Sequence, residues 1–432
     1  MHLSVWTGQI VIIRFVFVAL QLSVFTATIC VPGSAGAQVA IETALPDVTE
    51  DKEEASEESR ERERGTGEDP LARDLSEKVD QPVEQLFRHN KLEPYGSVRL
   101  RYNVADLEND FDDGGSRIGL KGELQFRPRF WLLGRAEAGF NIFDSLNNLV
   151  DASGRPSQED ANFSARLIYA GVETPSTAIT FGKNWSTYYQ VAALTDRFEA
   201  FGGEASGTYN ALTDGGSTGT GRADDVLQGR FSADFFPERL KIKPFNLNLQ
   251  VQPGQSIPNA GGENYDYSFG FSAVLETESE HNFGIAYNHA VIDAKVLPTL
   301  AQTGIRGDAK ALLLGTRKFG DNSYLGSTLS WLDNHETTDE GVYFDAWGWE
   351  VFTSYNVSGK WWVVGGWNLL EPRSSEKQVP DYRIRYGVLG LRYTFDDFRN
   401  MIYSEIRLDD SRNSDGSRPG NVYTVGIRWD LP

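Results

Sequence analysis

Between Tyr95 and Pro432 the chain repeats one pattern about sixteen times, a run of roughly 8 to 12 residues in which apolar and polar side chains alternate. The last run shows the alternation without a break, from Tyr423 to Leu431. The connections between runs are alternately short and long. A transmembrane β-barrel needs both properties, because each strand has a lipid-facing and a water-facing side and the two rims differ in loop length. The pattern therefore predicts an all-β fold, a roughly 16-stranded antiparallel transmembrane β-barrel.

The order of the connections separates this barrel from a soluble β-sandwich, whose strands also alternate. Connections after even-numbered strands are mostly tight, as at Asp321-Asn322, whereas those after odd-numbered strands are longer and rich in Gly, Asp and Ser. A sandwich does not need this order. The predicted strands cover residues 95–104, 116–126, 131–142, 164–174, 178–184, 224–233, 245–252, 265–276, 281–292, 308–319, 323–333, 346–357, 361–371, 382–395, 400–410 and 421–431.

Charge and cysteine content narrow the class of protein. The formal net charge of −20 argues against a nucleic-acid-binding protein, which normally carries a basic patch. Residues 1–94 contain 9 Lys and Arg and 17 Asp and Glu, which leaves 32 basic and 44 acidic residues, a net charge of −12, in the barrel. We therefore expect a mild preference for cations. The single cysteine, Cys30, precedes the barrel, so no disulfide is expected.

The N-terminus has the features of a secretory signal. Arg14 precedes an apolar stretch at 15–25, and Ala35-Gly36-Ala37 forms a cleavage site of the A-x-A kind. Residues 1–37 are therefore predicted to be a signal peptide. Lipidation at Cys30 is the alternative, and the bulky Ile29 before it disfavours that interpretation.

Two further segments precede the barrel domain, which is assigned to residues 95–432. Residues 38–70 are acidic and of low complexity, so they bury too little apolar surface to offset their ordering entropy and are predicted to be disordered. Residues 71–94 show apolar spacing of roughly helical period, interrupted by Pro82. This segment is predicted to form short helices on the periplasmic side.

No catalytic motif stands out in the chain. The five histidines, at 2, 89, 281, 289 and 335, lack metal-ligand spacing, and there is no GxSxG, Walker loop or thiol nucleophile. We therefore expect no enzyme activity, no metal and no cofactor. His289 beside Asn288 leaves a membrane-barrel hydrolase as an alternative, which would need a His–Ser pair on one wall.

Aromatic residues lie at or near the strand ends, where girdles mark the two membrane interfaces of a barrel. These residues are Tyr102, Phe126, Trp131, Phe140, Phe319, Tyr324, Trp361, Tyr393, Phe395 and Trp429.

Charged residues occupy the polar faces of the strands. With Ile118 and Leu120 toward lipid, Arg117 and Lys121 of the same strand face the lumen. A charge facing lipid at mid-membrane costs roughly 2–4 kcal/mol, so such residues should point inward. Glu123 of that strand also faces the lumen, and the next two strands add Arg135, Glu137 and Arg166. Rings of charged side chains set the ion preference of a pore.

Three motifs resemble the Gram-negative general diffusion porins, which are 16-stranded trimers. The second strand contains SRIGLKGE at 116–123, and the fourth contains ARLIYAGV at 165–172. The strand GKNW at 182–185 is followed by Thr195-Asp196 and by FGGE at 201–204, which is similar to the constriction loop of that family. The resemblance spans residues 95–432.

The resemblance implies that the third loop folds into the barrel and that its acidic side faces a basic wall. Carried onto this chain, the basic wall is Arg117, Lys121, Arg166 and Arg222. The acidic side is Asp196, with Glu204 supporting the loop. The family usually has a glutamate just before FGG, where this chain has Ala200, so Glu199 is expected to substitute. Residues 208–221, rich in Gly and Thr, are predicted to be the mobile part of the loop.

The resemblance also implies a place and partners. It implies a water-filled channel in the outer membrane of a Gram-negative bacterium, passing small hydrophilic solutes and ions by passive diffusion. The partners implied are outer-membrane lipid and lipopolysaccharide, the outer-membrane assembly machinery and two further copies in a homotrimer. Small residues on the lipid face of the third strand, such as Gly134, Ala136 and Ala138, would allow close subunit packing. A substrate-specific channel for sugars or anions is the alternative.

Overall fold

Seventeen strand segments, joined by antiparallel pairing, make up most of the part of the chain that the structure describes. The structure is a computed structural model, and it describes residues 91–105, 109–143, 163–373, 379, 381–395 and 400–431. The strands are β1 (Lys91–Ala105), β2 (Asn109–Asp113), β3 (Arg117–Arg127), β4 (Phe130–Phe140), β5 (Phe163–Thr174), β6 (Thr177–Trp185), β7 (Arg222–Ala233), β8 (Phe245–Pro253), β9 (Tyr267–Glu276), β10 (His281–Val291), β11 (Ala309–Gly320), β12 (Ser323–Thr337), β13 (Tyr343–Ser358), β14 (Trp361–Pro372), β15 (Ile384–Thr394), β16 (Met401–Asp409) and β17 (Val422–Leu431).

The sheet closes on itself, because β17 pairs with β1 from Gly96↔Leu431 to Ala105↔Val422. The strands β2 and β3 share one position in the ring, because both pair with β1. β2 pairs with residues 100–104 of β1, and β3 pairs with residues 91–97. The ring therefore has sixteen positions and every strand is antiparallel to its neighbours, as the alternation predicts. Closure removes the unpaired edges that an open sheet would expose.

The break between β2 and β3 was not predicted. The Asp113 carboxylate accepts hydrogen bonds from the backbone N–H groups of Gly115 (2.8 Å) and Ser116 (2.6 Å). A side chain that bonds the backbone two and three residues further on forms a local turn, and this turn competes with the ladder. Gly115 has a φ of 93°, which a residue with a side chain rarely adopts.

The alternation predicts the strand faces correctly. Side chains such as Ile118, Leu120 and Ile168 point outward and are 42–55% exposed, as expected of a surface that meets lipid. Inward positions are polar or small. The aromatic girdle is confirmed at Trp361 and Trp429, which are exposed, but Trp131 and Tyr324 point inward and are buried.

The start of the barrel differs from the prediction. β1 begins at Lys91, and Lys91 lies opposite Glu123 of β3. The last four residues of the predicted helical segment 71–94 are therefore strand, because pairing with β3 offsets the cost of extending them. The predicted signal peptide, the acidic segment 38–70, residues 71–90 and Pro432 lie outside the described residues.

Helices are short in the described residues, and two are α-helical single turns, α1 (Tyr189–Ala192) and α2 (Leu297–Leu300). No helix in the described ranges is both long and apolar enough to cross a membrane.

Candidate functional site: the loop inside the barrel

The connection between β6 and β7, residues 186–221, lies inside the barrel. Tyr188 and Val191 of this connection are fully buried, and they belong to one apolar cluster with Ala286, Leu313 and Leu332 of the inner wall. A loop on the outside of a barrel could not share a core with inward-facing wall residues. The loop therefore narrows the lumen against strands β10 to β14, as the resemblance implies.

Inward-facing glycines make room for this loop. A Cβ added at Gly348 would lie 2.0 Å from the carbonyl oxygen of Ala205, and one at Gly326 would lie 2.2 Å from that of Leu194. Real Cβ atoms do not approach backbone that closely. On β10, β11 and β14, a Cβ added at Gly284, Gly315 or Gly366 would lie 2.4–2.9 Å from a side chain of the loop. This glycine track, Gly284, Gly315, Gly326, Gly348 and Gly366, is the surface on which the loop rests.

Wall carboxylates hold the loop backbone. Glu405 of β16 accepts hydrogen bonds from the N–H groups of Glu199 (3.1 Å) and Ala200 (3.0 Å). Glu350 of β13 accepts one from Gly203 N–H (3.0 Å). Two wall carboxyl groups thus bind three backbone N–H groups and fix this part of the loop to the wall.

The Gly- and Thr-rich segment 208–221 is held in place rather than mobile. The Gln250 amide donates to the carbonyl oxygen of Gly219 (2.7 Å), and the Gln252 amide donates to that of Gly216 (2.7 Å). Thr218 and Thr220 are fully buried. The glycines of this segment let its backbone lie close to the wall, and they do not indicate motion. The prediction of a mobile segment is therefore wrong.

A cluster of guanidinium groups lines the wall around one buried carboxylate, Glu137 of β4. Glu137 accepts hydrogen bonds from Arg135 (2.8 Å), Arg166 (2.8 Å) and the Tyr95 hydroxyl (2.9 Å). Arg117 lies close enough to interact electrostatically with Glu137 and Arg166. Two of the predicted basic-wall residues, Arg117 and Arg166, are thus brought together.

Barrel closure extends this cluster onto β17. Arg428 forms ion pairs with Asp430 (2.7 Å) and with the loop residue Glu199 (3.5 Å). Arg99 of β1 lies within electrostatic range of both Arg428 and Arg117. The basic wall is therefore centred on the seam between the first and last strands.

The other two predicted basic residues lie elsewhere. The Lys121 ammonium group is 3.8 Å from Glu93 and lies farther along β3 toward the rim with the short turns. Arg222 stands at the end of the loop, where its guanidinium pairs with Asp214 (3.2 Å) and lies 5.5 Å from the ring centre of Trp185. Neither joins the cluster around Glu137.

The predicted acidic residues take three different roles. Asp196 accepts hydrogen bonds from the hydroxyls of Tyr189 (3.0 Å) and Tyr209 (2.7 Å). Glu199 is bound to the wall by Arg428 and by Arg392 (3.8 Å). Glu204 lies 3.5 Å from Arg407, and its side chain is 41% exposed.

The pKa values of Asp196 and Glu199 are shifted in opposite directions by burial and neighbouring charges. Burial raises the pKa of Asp196, and the hydrogen bonds from Tyr209 and Tyr189 oppose this only in part. Burial also acts to raise the pKa of Glu199, but the guanidinium of Arg428 and its basic neighbours outweigh it and hold this pKa below its usual value. Glu199 is therefore the more persistent negative charge of the loop.

Several residues of the site were not assigned to the constriction from the sequence. They are Arg99, Arg135, Glu137, Glu350, Arg392, Glu405, Arg407 and Arg428. The alternation of side chains along each strand predicts that these residues point inward, so the sequence did contain a signal. Alternation does not show which of them lie at the same height in the barrel as the loop.

The three histidines among the described residues do not build a hydrolytic site in the lumen. His289 binds Asp308 (2.8 Å) on the outer face, and His335 is buried against the carbonyl oxygen of Gly207 (2.7 Å). Ser279 and His281 approach to 3.3 Å on an exposed turn at the opposite end of the strands from the loop.

Comparisons with known proteins agree with the barrel fold. The chain is 29% identical over 347 residues to outer membrane porin PhoE of Escherichia coli K12, covering 79% of this chain and 92% of that protein. The fold matches OmpF of Salmonella typhi, solved in complex with daunomycin, with a TM-score of 0.64 and 20% identity over 79% of this chain and 98% of that one. OmpT of Vibrio cholerae, solved in a trimer form, matches with a TM-score of 0.55 and 16% identity over 80% of this chain and all of that one. No family model matches the chain.

Proposed function

Since the chain belongs to the outer-membrane porins of Gram-negative bacteria, we propose that the loop inside the barrel and the arginine wall form the constriction of a diffusion channel. The relatives are channels rather than enzymes. The solutes are small, hydrophilic molecules and ions, which cross passively because the lumen wall is polar.

One observation carries the proposal. The loop backbone is fastened to the β13 and β16 side of the wall, and the carboxylate of its Glu199 lies near guanidinium groups of β1, β15 and β17. Charges of both signs on the lining of a narrow passage with low-dielectric walls produce a strong local field. Ions and polar solutes would be sorted there by charge and orientation.

The sign of the preference depends on two opposing contributions. The barrel's net charge of −12 favours cations, whereas the wall around Arg99, Arg117 and Arg428 favours anions. Glu137, Asp430 and Glu199 neutralise part of that wall. We propose a mild cation preference, kept small by the arginines.

An anion-specific channel is the second candidate. Arg99 and Arg117 are close enough to repel each other, and a passing anion would relieve that repulsion. Measured selectivity decides between the candidates, because a specific anion channel requires reversal potentials of anionic sign.

The proposed assembly is the trimer that the family resemblance implies. A homotrimer is proposed, with β3 to β5 at the interface, since Gly134, Ala136 and Ala138 lie on the outer face there as predicted. The assembly machinery and outer-membrane lipid are the other proposed partners.

Reconstitution in planar bilayers tests the channel. Purified, folded protein should give stepwise conductance in groups of three, and the reversal potential in a potassium chloride gradient should be weakly cationic. A folded barrel that carries no current would overturn the proposal.

A further inference from the structure

One arginine of the lumen lies against a buried aromatic ring beside the loop. The guanidinium carbon of Arg407 on β16 is 3.9 Å from the ring centre of Tyr386 on β15. Tyr386 is fully buried, and its hydroxyl accepts a hydrogen bond from the backbone N–H of Gly202 in the loop (3.2 Å). The ring is therefore fixed between the wall and the loop, and it holds the guanidinium in one orientation.

Two carboxylates bind the edge of the same guanidinium. Its Nε donates to Asp409 (2.5 Å), and its Nη1 donates to Glu204 of the loop (3.5 Å). The side chain of Arg407 is 18% exposed. Because one face lies on Tyr386 and this edge is bound, the surface that Arg407 presents to the passage includes the second face of its guanidinium. Two carboxylates and one guanidinium leave a net negative charge at this corner of the lumen, which favours a positive group over a carboxylate.

Glu204 presents the most accessible carboxylate of the loop. Its side chain is 41% exposed, compared with 30% for Asp214 and 8% for Glu199. Asp196, the fourth acidic residue of the loop, is bound by the hydroxyls of two tyrosines. A solute in the passage therefore meets the charge of Glu204 more directly than that of the other three.

The pair of Arg407 and Glu204 lies on the long-loop side of the constriction. Glu405, two residues before Arg407 on β16, accepts the hydrogen bonds from the loop N–H groups of Glu199 and Ala200. β16 runs from the rim with short turns toward the rim with long loops, so Arg407 is the next inward residue beyond this contact. A solute that enters from the long-loop side reaches Arg407 before it passes the loop.

We propose that Arg407 and Glu204 form a subsite for aromatic amines, solutes in which a planar ring carries an ammonium group one or two carbons away. This inference rests on the proposed diffusion channel. The ring stacks on the second face of the Arg407 guanidinium, since guanidinium groups attract aromatic faces. The ammonium group pairs with Glu204, whose carboxylate is 3.5 Å from Nη1 of Arg407 and thus within reach of a short side chain. An aromatic carboxylate of the same size is repelled by Glu204.

Three probes of similar size separate stacking from charge. Phenethylammonium, cyclohexylethylammonium and phenylacetate are added to the unaltered channel in planar bilayers, and each dissociation constant is taken from the concentration dependence of the current reduction. Phenethylammonium should bind about two- to fivefold more tightly than cyclohexylethylammonium, because only the aromatic ring gains the cation–π contact. Phenylacetate should bind more weakly than either amine. Equal affinity for the two amines would overturn the proposal.

Two substitutions test the residues themselves. Arg407→Lys keeps the positive charge and removes the planar face, so it should abolish the preference for phenethylammonium over cyclohexylethylammonium. Glu204→Gln should weaken both amines by about two- to fivefold and keep the preference, since it removes only the ion pair. Arg101→Lys is the matched control, because Arg101 pairs with Asp112 on β1 and β2. It should leave both affinities unchanged.

A preference that persists in the Arg407→Lys channel, or that is lost in the Arg101→Lys control, would contradict the subsite. These measurements also separate the two proposals. A folded barrel that carries no current refutes the diffusion channel, whereas a conducting barrel that binds both amines equally refutes the subsite alone.

Discussion

Glu137 shows how one residue sets the charge of the wall. Its side chain is almost completely buried and receives hydrogen bonds from Arg135, Arg166 and Tyr95. Glu137→Gln should shift the reversal potential toward anions, because two guanidinium groups lose their neutralising partner. It should also lower the free energy of unfolding by about 1–3 kcal/mol, since charged hydrogen bonds are lost at a buried site.

Glu278→Gln is the matched control for this substitution. Glu278 is exposed at a short turn and contacts only Lys241 among the ion pairs of the described residues, at 3.8 Å. Its loss should leave both selectivity and stability unchanged. An unchanged reversal potential in the Glu137 variant would show that Glu137 does not shape the field in the lumen.

Asp196 gives the channel a pH dependence. Burial raises its pKa, so on acidification it takes up a proton at a higher pH than an ordinary aspartate, whose pKa is ~3.9. The pKa of Glu199 is held low, so Glu199 stays charged over the same range. Cation preference should therefore fall as the pH is lowered from neutral. Asp196→Asn should remove this change. If this variant keeps the full pH response, a group other than Asp196 causes that response.

At the scale of single residues, the sequence predicts direction better than position. Alternation places Arg117, Lys121 and Arg166 on the inner face, and the structure agrees. It does not give their height along the barrel axis, because strand tilt and stagger are set by the closed ring. Lys121 and Arg222 were therefore grouped with a cluster that they do not join.

At the scale of elements, the loop fits only because the wall beneath it lacks side chains. Gly348→Val should push the loop away from β13, since the new side chain would begin 2.0 Å from the carbonyl oxygen of Ala205. The expected result is a changed single-channel conductance with noisier open states and weaker charge selectivity.

Gly365→Val on the neighbouring strand is the control for this loop displacement. The nearest atoms to a Cβ there are 3.6 Å away, so the outer surface can accept it. If both variants conduct like the unaltered protein, the loop does not depend on the glycine track. Inward glycines within otherwise regular strands were present in the sequence, but their meaning depends on knowing what lies inside the barrel.

Strands were the most predictable elements. Each of the sixteen predicted runs overlaps an observed strand, since two-residue periodicity and tight turns are local properties. The break at Asp113 and the early start at Lys91 were missed. The first depends on one side-chain turn, and the second on pairing with β3, which is remote from the residues it extends.

At the scale of the whole molecule, closure creates the site. β1 and β17 are the two ends of the barrel sequence, yet their pairing brings Arg99 beside Arg428, and the loop then places Glu199 against both. No local pattern contains this arrangement. The family resemblance predicts the inward loop, and the pairing of the first and last strands explains why the arginines gather beside Glu199 of that loop.

The most direct test of the account is the reversal potential of two opposite variants, measured in bilayers under one salt gradient. Arg117→Ala removes a positive charge from the wall and should shift the potential toward cations. Asp196→Asn removes a negative charge from the loop and, at neutral pH, should shift it toward anions. Opposite shifts with conductance retained are the predicted result. Two folded, conducting variants with unchanged reversal potentials would contradict the claim that loop and wall together set selectivity.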